Sequence, residues 1–220
     1  MSIDFHAHIL PKADHGCTSV EVALQQLELA HQAGIDTVIA TPHFYSHVDS
    51  CEQFLIRREA CAKALRQRMP HAPKVLLGAE VQLCRGLERV DRLHELCVEG
   101  TNVLLLELPP NYSAGRFDQT IDSLIYGKGL KVVLAHIDRY PSVYIDFLLE
   151  LGCLAQINAA AFCHFRSVKQ ALRYAESESI VALGSDIHGT AIGYSELLKA
   201  KKRLGSLYDE VMQRTHNLLK

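Results

Sequence analysis

Seven short apolar runs, rich in Val, Ile and Leu, recur along the chain and are separated by longer stretches with helical periodicity. This alternation is typical of βα units arranged around a parallel sheet. The predicted strands are the runs 3–5, 37–40, 75–77, 103–106, 132–134, 154–157 and 180–183. Their spacing predicts an α/β barrel, and the length of 220 residues suits a single barrel domain covering 1–220.

Helix signals support this organisation. Thr18 and Glu21 have the spacing of a capping box before the first helix, and Gly34 supplies a stop before the second strand. Similar helices are predicted after each later strand, and the stretch from Ser206 predicts an additional terminal helix.

Composition limits the classes of function. The formal net charge of -2 gives no broad basic field, so neither nucleic-acid binding nor attachment to an anionic membrane is expected. No apolar run has the length needed to cross a bilayer, and the N-terminus does not resemble a signal peptide. The seven cysteines contain no Cys-x-x-Cys pair, which favours reduced thiols. We therefore expect a cytoplasmic protein.

Potential metal ligands follow six of the seven predicted strands. His6 and His8 are two residues apart at the end of the first strand, so both side chains point to the same side of an extended backbone. Asp186 and His188 repeat this spacing after the seventh strand. The candidate ligands are His6, His8, His15, His43, Glu80, Glu107, His136, Asp186 and His188.

These side chains are expected to meet, because the carboxyl ends of barrel strands surround one mouth. Imidazoles and carboxylates without a thiolate favour zinc, manganese or iron. Any one of these histidines, taken alone, is more often a structural residue. The nine His, Asp and Glu side chains together, however, exceed what one ion accepts, so the joint pattern predicts a site with more than one metal ion. Of the six other histidines, His31, His71, His94 and His216 are expected on the surface, and His47 and His164 are left unassigned.

A mechanism with a cysteine nucleophile is the main alternative to metal-dependent chemistry. Cys51 and Arg57 have the Cys-x5-Arg spacing of thiol-dependent protein phosphatases. That chemistry needs a loop whose backbone N–H groups surround the phosphate, and such loops are usually rich in glycine. The segment between Cys51 and Arg57 contains no glycine and is predicted to be helical, which favours metal chemistry.

The motifs D-F-H-A-H-I-L-P, A-T-P-H, G-A-E, L-E-L, A-H-I-D-R-Y and S-D-I-H-G together resemble the polymerase and histidinol phosphatase superfamily. Within it, the chain is most similar to the bacterial capsule-type, manganese-dependent tyrosine phosphatases. The resemblance implies a distorted seven-stranded βα barrel with three divalent metal ions, with Mn²⁺ expected and iron or zinc as alternatives.

The resemblance also implies a distribution of the ligands. It assigns the first metal to His6, His8, Glu80 and Asp186. It assigns the second metal to Glu107 and His136, with Glu80 as a bridge, and the third to His15, His43 and His188. Arg139 would then bind the substrate phosphate, and Asp14 would be a candidate proton donor.

Two departures from the capsule-type pattern concern the substrate. Asp14-His15-Gly16 stands where those phosphatases typically read Asp-Asp-Gly, and residues 189–194 contain no second phosphate-binding arginine. The resemblance implies a phosphomonoester hydrolase, first a protein-tyrosine phosphatase acting on a bacterial tyrosine autokinase of capsule or exopolysaccharide export. The alternatives are a small-molecule phosphatase of the histidinol-phosphatase type and a non-catalytic, metal-bound regulatory module.

Overall fold

A computed structural model describes residues 1–69, 73–110, 112, 117–190 and 192–220. The predicted surface histidines His31, His94 and His216 are exposed, whereas His71 lies outside the described residues. Within the described part of the chain, no helix is both long and apolar enough to cross a membrane.

All seven predicted strands are present, and two short strands are added. Every strand pair is parallel, which confirms the predicted class of sheet. The strands are β1 (Ile3–Ala7), β2 (Thr37–Ala40), β3 (His43–Phe44), β4 (Lys74–Leu77), β5 (Glu80–Gln82), β6 (Val103–Glu107), β7 (Lys131–Leu134), β8 (Leu154–Asn158) and β9 (Ile180–Gly184).

The strands form two sheets, in the orders β1-β2-β4 and β3-β5-β6-β7-β8-β9. The chain passes directly from β2 into β3 and from β4 into β5. β2 and β4 belong to the first sheet and β3 and β5 to the second, so two bent strands run from one sheet into the other. Backbone hydrogen bonds continue across the bend, from Gly78 to Ala40 at 2.9 Å and from Glu80 to Pro42 at 3.1 Å. Pro42 has no N–H to donate, which fits an interruption of the strand at this point.

The first and last strands also meet. The backbone of Asp186 donates to His6 at 2.8 Å, and that of His8 donates to Ile187 at 3.1 Å. The pairing of β1 with β2 shifts register between Asp4 and Ala7, a local irregularity of the kind that bends strands. The seven strands therefore follow one another in the order of a distorted βα barrel, as predicted.

The helices are α1 (Val20–Gln32), α2 (Cys51–Arg66), α3 (Asp118–Asp122), α4 (Ser142–Glu150), α5 (Val168–Ala175), α6 (Ile192–Leu204) and α7 (Ser206–Leu218). The terminal helix is confirmed by α7. The expectation of a helix after every strand is wrong between β5 and β6, a segment described throughout. Two 3-10 turns, Leu87–Arg89 and Leu93–Leu96, occupy that connection.

The first helix begins one residue later than predicted. Its N-cap is Ser19, whose hydroxyl accepts from the backbone of Val22 at 3.2 Å, so the Thr18 capping box is wrong. The predicted stop is confirmed, because Gly34 adopts a φ of +74° just after the helix, a conformation that favours glycine.

Buried polar side chains occur in β1 and β8. Parallel strands covered on both faces are normally almost wholly apolar. Asp4, His6 and Gln156 nevertheless have no solvent exposure. A buried polar group requires partners, so these strands indicate where the functional site lies.

Candidate metal centre

His6 and His8 converge at the end of β1. Their Nε2 atoms are 3.1 Å apart, and both side chains are completely buried. Each Nε2 lies 3.3 Å from the Glu80 carboxylate. Asp186 approaches the same point, with its Oδ1 3.6 Å from His6 and 3.5 Å from His8. The structure thus brings together all four side chains predicted to hold the first metal.

Glu80 lies at the centre of the cluster and joins it to further ligands. Its Oε1 is 2.8 Å from Nε2 of His136, and its Oε2 is 2.9 Å from Nδ1 of His43. Burial raises the pKa of Glu80, but the facing His6 and the hydrogen bonds from His136 and His43 outweigh it and hold the pKa well below its usual range. This carboxylate is therefore ionised and surrounded by imidazoles.

Glu107, at the end of β6, completes a second group. Its Oε1 lies 3.7 Å from Nε2 of His136. Ligand atoms of His43, Glu80 and Glu107 all lie within 4.8 Å of one another. Burial, reinforced by the negative charge of Glu80, raises the pKa of Glu107. Two carboxylates in one poorly solvated place repel each other, and a cation between them would relieve that repulsion.

The histidines predicted for the third metal lie beside this group. The ring of His15 stacks on that of His43 and is tilted against that of His188, with centroids 4.9 Å and 5.0 Å away. The converging nitrogens, however, are those of His8, His43 and His188, again within 4.8 Å of one another. His15 thus lies next to the third group, and its coordination of a metal stays a prediction.

Asp14 anchors His8 from the opposite side of the ring. Its Oδ2 is 2.6 Å from Nδ1 of His8 and accepts from the backbone of His43 at 3.0 Å. Burial raises the pKa of Asp14, but the hydrogen bond with His8 outweighs it and holds the pKa far below its usual range. These contacts suit a carboxylate that orients a ligand, whereas the proton donation expected from the sequence requires a protonated acid.

Gly16 is required by the same turn. A Cβ at this position would lie 2.3 Å from the Cβ of His8, which is closer than side-chain carbons approach. Any larger residue would displace the imidazole. The sequence Asp14-His15-Gly16 therefore combines the carboxylate that orients His8 with a glycine, whose lack of a Cβ leaves room for the His8 side chain.

Arg139 lies at the rim of the cluster. It ends the 3-10 turn Ile137–Arg139 after β7, and its guanidinium donates to the carboxylate of Asp186. About half of the side chain, 52%, is exposed. Arg139 thus combines a position beside the ligands with access to solvent, the placement expected for a phosphate-binding cation.

Two candidate ligands have unusual backbones. His136 has a φ of +33° and Asp186 a φ of +52°, in the left-handed region that residues other than glycine seldom adopt. Such conformations cost free energy and concentrate at functional sites. In each case the strained residue lies two positions after a strand ends, at the edge where the candidate ligands meet.

Gln156 and Asn158, at the end of β8, are not among the site residues predicted from the sequence. Gln156 accepts from the backbone of His136 at 2.7 Å and donates to Asn158 at 2.9 Å, and Asn158 donates to Asp186 at 3.0 Å. They provide hydrogen bonds that orient the ligands. The available signal was a pair of amides two residues apart in an otherwise apolar strand.

The mechanism with a cysteine nucleophile is not supported by the structure. Cys51 is the first residue of α2, where it is buried, and burial raises the pKa of its thiol. Arg57 is engaged elsewhere, donating to Ala13 at 3.0 Å and to Asp49 at 2.5 Å. A reactive cysteine needs the opposite, an exposed thiol with a lowered pKa beside a free cation.

Known proteins share this fold. The chain is 28% identical over 196 residues to the tyrosine-protein phosphatase YwqE of Bacillus subtilis strain 168, which spans 84% of this chain and 77% of that protein. A crystal structure from the work on YwqE from Bacillus subtilis and CpsB from Streptococcus pneumoniae, described as unique metal-dependent tyrosine phosphatases, matches with a TM-score of 0.80 at 24% identity. The match covers 99% of this chain and 94% of that one.

A crystal structure of an uncharacterised protein matches more distantly, with a TM-score of 0.58 at 10% identity, over 99% of this chain and 73% of that one. At these identities the structural matches establish the fold. The family model for CpsB/CapC, of capsular polysaccharide synthesis, matches residues 2–217. The chain therefore belongs to the CpsB/CapC family.

Proposed function

We propose that this protein is a metal-dependent phosphomonoester hydrolase, specifically a protein-tyrosine phosphatase. The observation that carries the proposal is the buried cluster around Glu80, in which three overlapping groups of His, Asp and Glu ligand atoms converge. Membership of the CpsB/CapC family and similarity to the tyrosine-protein phosphatase YwqE support the choice of chemistry.

The cluster suits divalent cations. Nδ1 of His136 is buried without a hydrogen-bond partner, and buried polar atoms seldom stay unpaired. Imidazole and carboxylate ligands accept manganese, iron or zinc. We assign three ions, with Mn²⁺ expected. The ligands are His6, His8, Glu80 and Asp186 for the first, Glu80, Glu107 and His136 for the second, and His15, His43 and His188 for the third.

Bound divalent ions would supply a hydroxide nucleophile near neutral pH and offset the charge of the phosphate. The protein's own residues position the reactants. The guanidinium of Arg139 offers a planar fork of donors for two phosphate oxygens. Asp14 keeps His8 in orientation through the 2.6 Å contact, and Asn158 does the same for Asp186.

The proposed substrate is a phosphotyrosine protein, and the proposed partner is a bacterial tyrosine autokinase of capsule or exopolysaccharide synthesis. A tyrosine phenolate, with a pKa of about 10, leaves with little acid assistance. This agrees with a site in which Asp14 is held as a carboxylate. We further propose a cytoplasmic location, supported by seven free cysteines, and a single domain over residues 1–220.

A turnover panel tests the proposal. Metal-loaded protein is given a phosphotyrosine peptide, a phosphoserine peptide and histidinol phosphate at matched concentrations, and phosphate release is measured. The proposal requires preference for the phosphotyrosine peptide. Preference for histidinol phosphate would indicate a small-molecule phosphatase instead. Metal binding without release from any substrate would indicate a non-catalytic regulatory module.

A further inference from the structure

A cationic groove opens beside the candidate active site. It is open to solvent, has a volume of about 390 Å³ and is lined by Ser142, Arg166, Lys169, Gln170 and Arg173. Three of these five side chains are cations, and no carboxylate lines the groove. The whole chain carries a net charge of -2, so this local excess of positive charge does not follow from composition.

The three cations lie at the surface, and the guanidinium of Arg173 lies over the ring of Tyr174, 5.6 Å from its centroid. Arg166, Lys169 and Arg173 are exposed, and none forms an ion pair with an acidic group among the residues that the structure describes. Asp146, on the neighbouring helix α4, accepts from the hydroxyl of Tyr174 at 3.2 Å. Like charges held together without counter-ions favour the binding of an anion.

Both walls of the groove begin at the mouth of the barrel. Ser142 follows Arg139 by three residues, which places their Cα atoms at most about 11 Å apart. The hydroxyl of Tyr140 donates to the carbonyl of Leu108 at 2.6 Å and fixes the connection between them. A ligand that reaches Arg139 can therefore extend into the groove within a few residues.

The other wall follows β8. The 3-10 turn Ala159–Phe162 comes directly after Asn158, which donates to Asp186. The hydroxyl of Ser167 donates back to the carbonyl of Ala161 at 2.7 Å, so the segment that carries Arg166 is tied to the strand end. The backbone segment that carries the cations thus continues from the same strand that positions a candidate metal ligand.

Apolar side chains next to the groove favour a peptide over a small anion. Phe165 is 94% exposed and adjoins Arg166 in sequence, while Val143 is 66% exposed and adjoins Ser142. Cations interspersed with exposed apolar side chains suit a chain that carries both charged and apolar groups.

We propose that this groove binds anionic side chains that flank the phosphotyrosine in a protein substrate. The inference rests on the proposed phosphatase function and specifies the substrate class of that site. Carboxylates and additional phosphates share the required chemistry. The groove would supply cationic contacts beyond Arg139, and residues 189–194 contain no arginine for that purpose.

The test compares kcat/KM for three phosphotyrosine peptides and for p-nitrophenyl phosphate, which is too small to reach the groove. The peptides carry neutral flanking residues, flanking glutamates or a second phosphotyrosine. The test variant is Arg166→Gln/Lys169→Gln/Arg173→Gln. The control is Lys74→Gln/Lys128→Gln/Lys131→Gln, which removes the same charge. These three exposed lysines lie at or near the amino-terminal ends of β4 and β7, whereas the candidate ligands follow the carboxyl-terminal ends of the strands.

The wild type is expected to prefer the anionic peptides. In the test variant, the ratio of kcat/KM for the glutamate peptide to that for p-nitrophenyl phosphate should fall about tenfold, the sum of three exposed ion pairs. The control should keep the wild-type ratio, and raising the salt concentration should reduce the difference, because exposed charges are screened.

Loss confined to the doubly phosphorylated peptide would identify phosphate as the anion, whereas loss for both anionic peptides would show that carboxylates suffice. Wild-type ratios for both anionic peptides in the test variant, or an equal loss in the control, would overturn the proposal for the groove. Failure of the wild type to hydrolyse any of the phosphotyrosine peptides or p-nitrophenyl phosphate would instead overturn the proposed function.

Discussion

His8 shows how one side chain is fixed at both ends of its ring. Nε2 faces Glu80 and Asp186, while Nδ1 is held by Asp14 at 2.6 Å. Burial lowers the pKa of His8, but hydrogen bonds with these carboxylates outweigh it and raise the pKa well above its usual range. Metal binding at Nε2 would have to displace a proton, and Asp14 would then keep the ring in its binding orientation.

Asp14→Asn tests this orienting role. The charge is lost while the shape is kept, so affinity for Mn²⁺ should fall about 10- to 100-fold, the usual effect of removing a partner of a metal-binding histidine. Metal titration of chelator-treated protein measures the change, and Asp209→Asn on the exposed face of α7 is the control. If Mn²⁺ affinity were unchanged and the rate loss grew with the pKa of the leaving group, Asp14 would be the proton donor after all.

Arg139→Ala should lose roughly 10²- to 10³-fold in kcat/KM, the scale seen when a preorganised donor to the transition state is removed. Its metal content should match that of the wild type, because a guanidinium has no lone pair to offer a metal. Phosphotyrosine peptide turnover and elemental analysis are the two measurements. Arg68→Ala, at an exposed ion pair with Glu21, is the control and should behave like the wild type.

Two companion variants separate phosphate binding from metal binding. His136→Ala should lose metal as well as activity, and Arg139→Lys should recover only part of the activity, because the charge returns without the fork. Full activity in Arg139→Ala would exclude the phosphate-binding role.

At the scale of elements, the sequence predicted the strands well and their junctions poorly. Apolar periodicity identified all seven main strands, and the placement of ligands after them followed from barrel geometry. The apolar periodicity did not indicate that β2 continues into β3 beyond Pro42, because a strand of two residues is too short to show a period. The role of Gln156 was not predicted, because an amide side chain within a strand does not by itself indicate a function. Its role becomes clear only from its hydrogen-bond partner, the backbone N–H of His136.

The helix α2 carries the clearest test against covalent catalysis. Cys51→Ser should retain nearly full activity, because the thiol is buried with a raised pKa and its Sγ is 3.6 Å from the carbonyl of Arg92. Phosphotyrosine peptide turnover measures the effect, with Cys61→Ser on the same helix as the control. A loss of several orders of magnitude in a folded, metal-loaded variant would establish a thiol mechanism instead.

At the scale of the whole molecule, the candidate site is distributed over nearly the entire chain. Its ligands run from His6 to His188 and follow six different main strands, so they come together only when the first and last strands meet. The backbone hydrogen bonds from Asp186 to His6 and from His8 to Ile187 therefore hold the first and last strands together and, with them, the ligands at their ends. Metal that binds only the folded chain must stabilise it.

Elemental analysis of the purified, active protein should accordingly find more than one transition metal ion per chain, because Glu80 faces ligands on two sides. Chelation should abolish activity, with manganese restoring it best. Free Mn²⁺ at about 100 times its Kd should stabilise the fold by roughly 2.7 kcal/mol, which for a domain of this size raises the Tm by about 5–10 °C. Thermal melts of chelated and reloaded protein measure the shift, and Glu80→Gln should reduce it because the shared carboxylate loses its charge. One ion or fewer in fully active protein would contradict the shared position of Glu80, since a carboxylate that bridges requires two neighbouring ions.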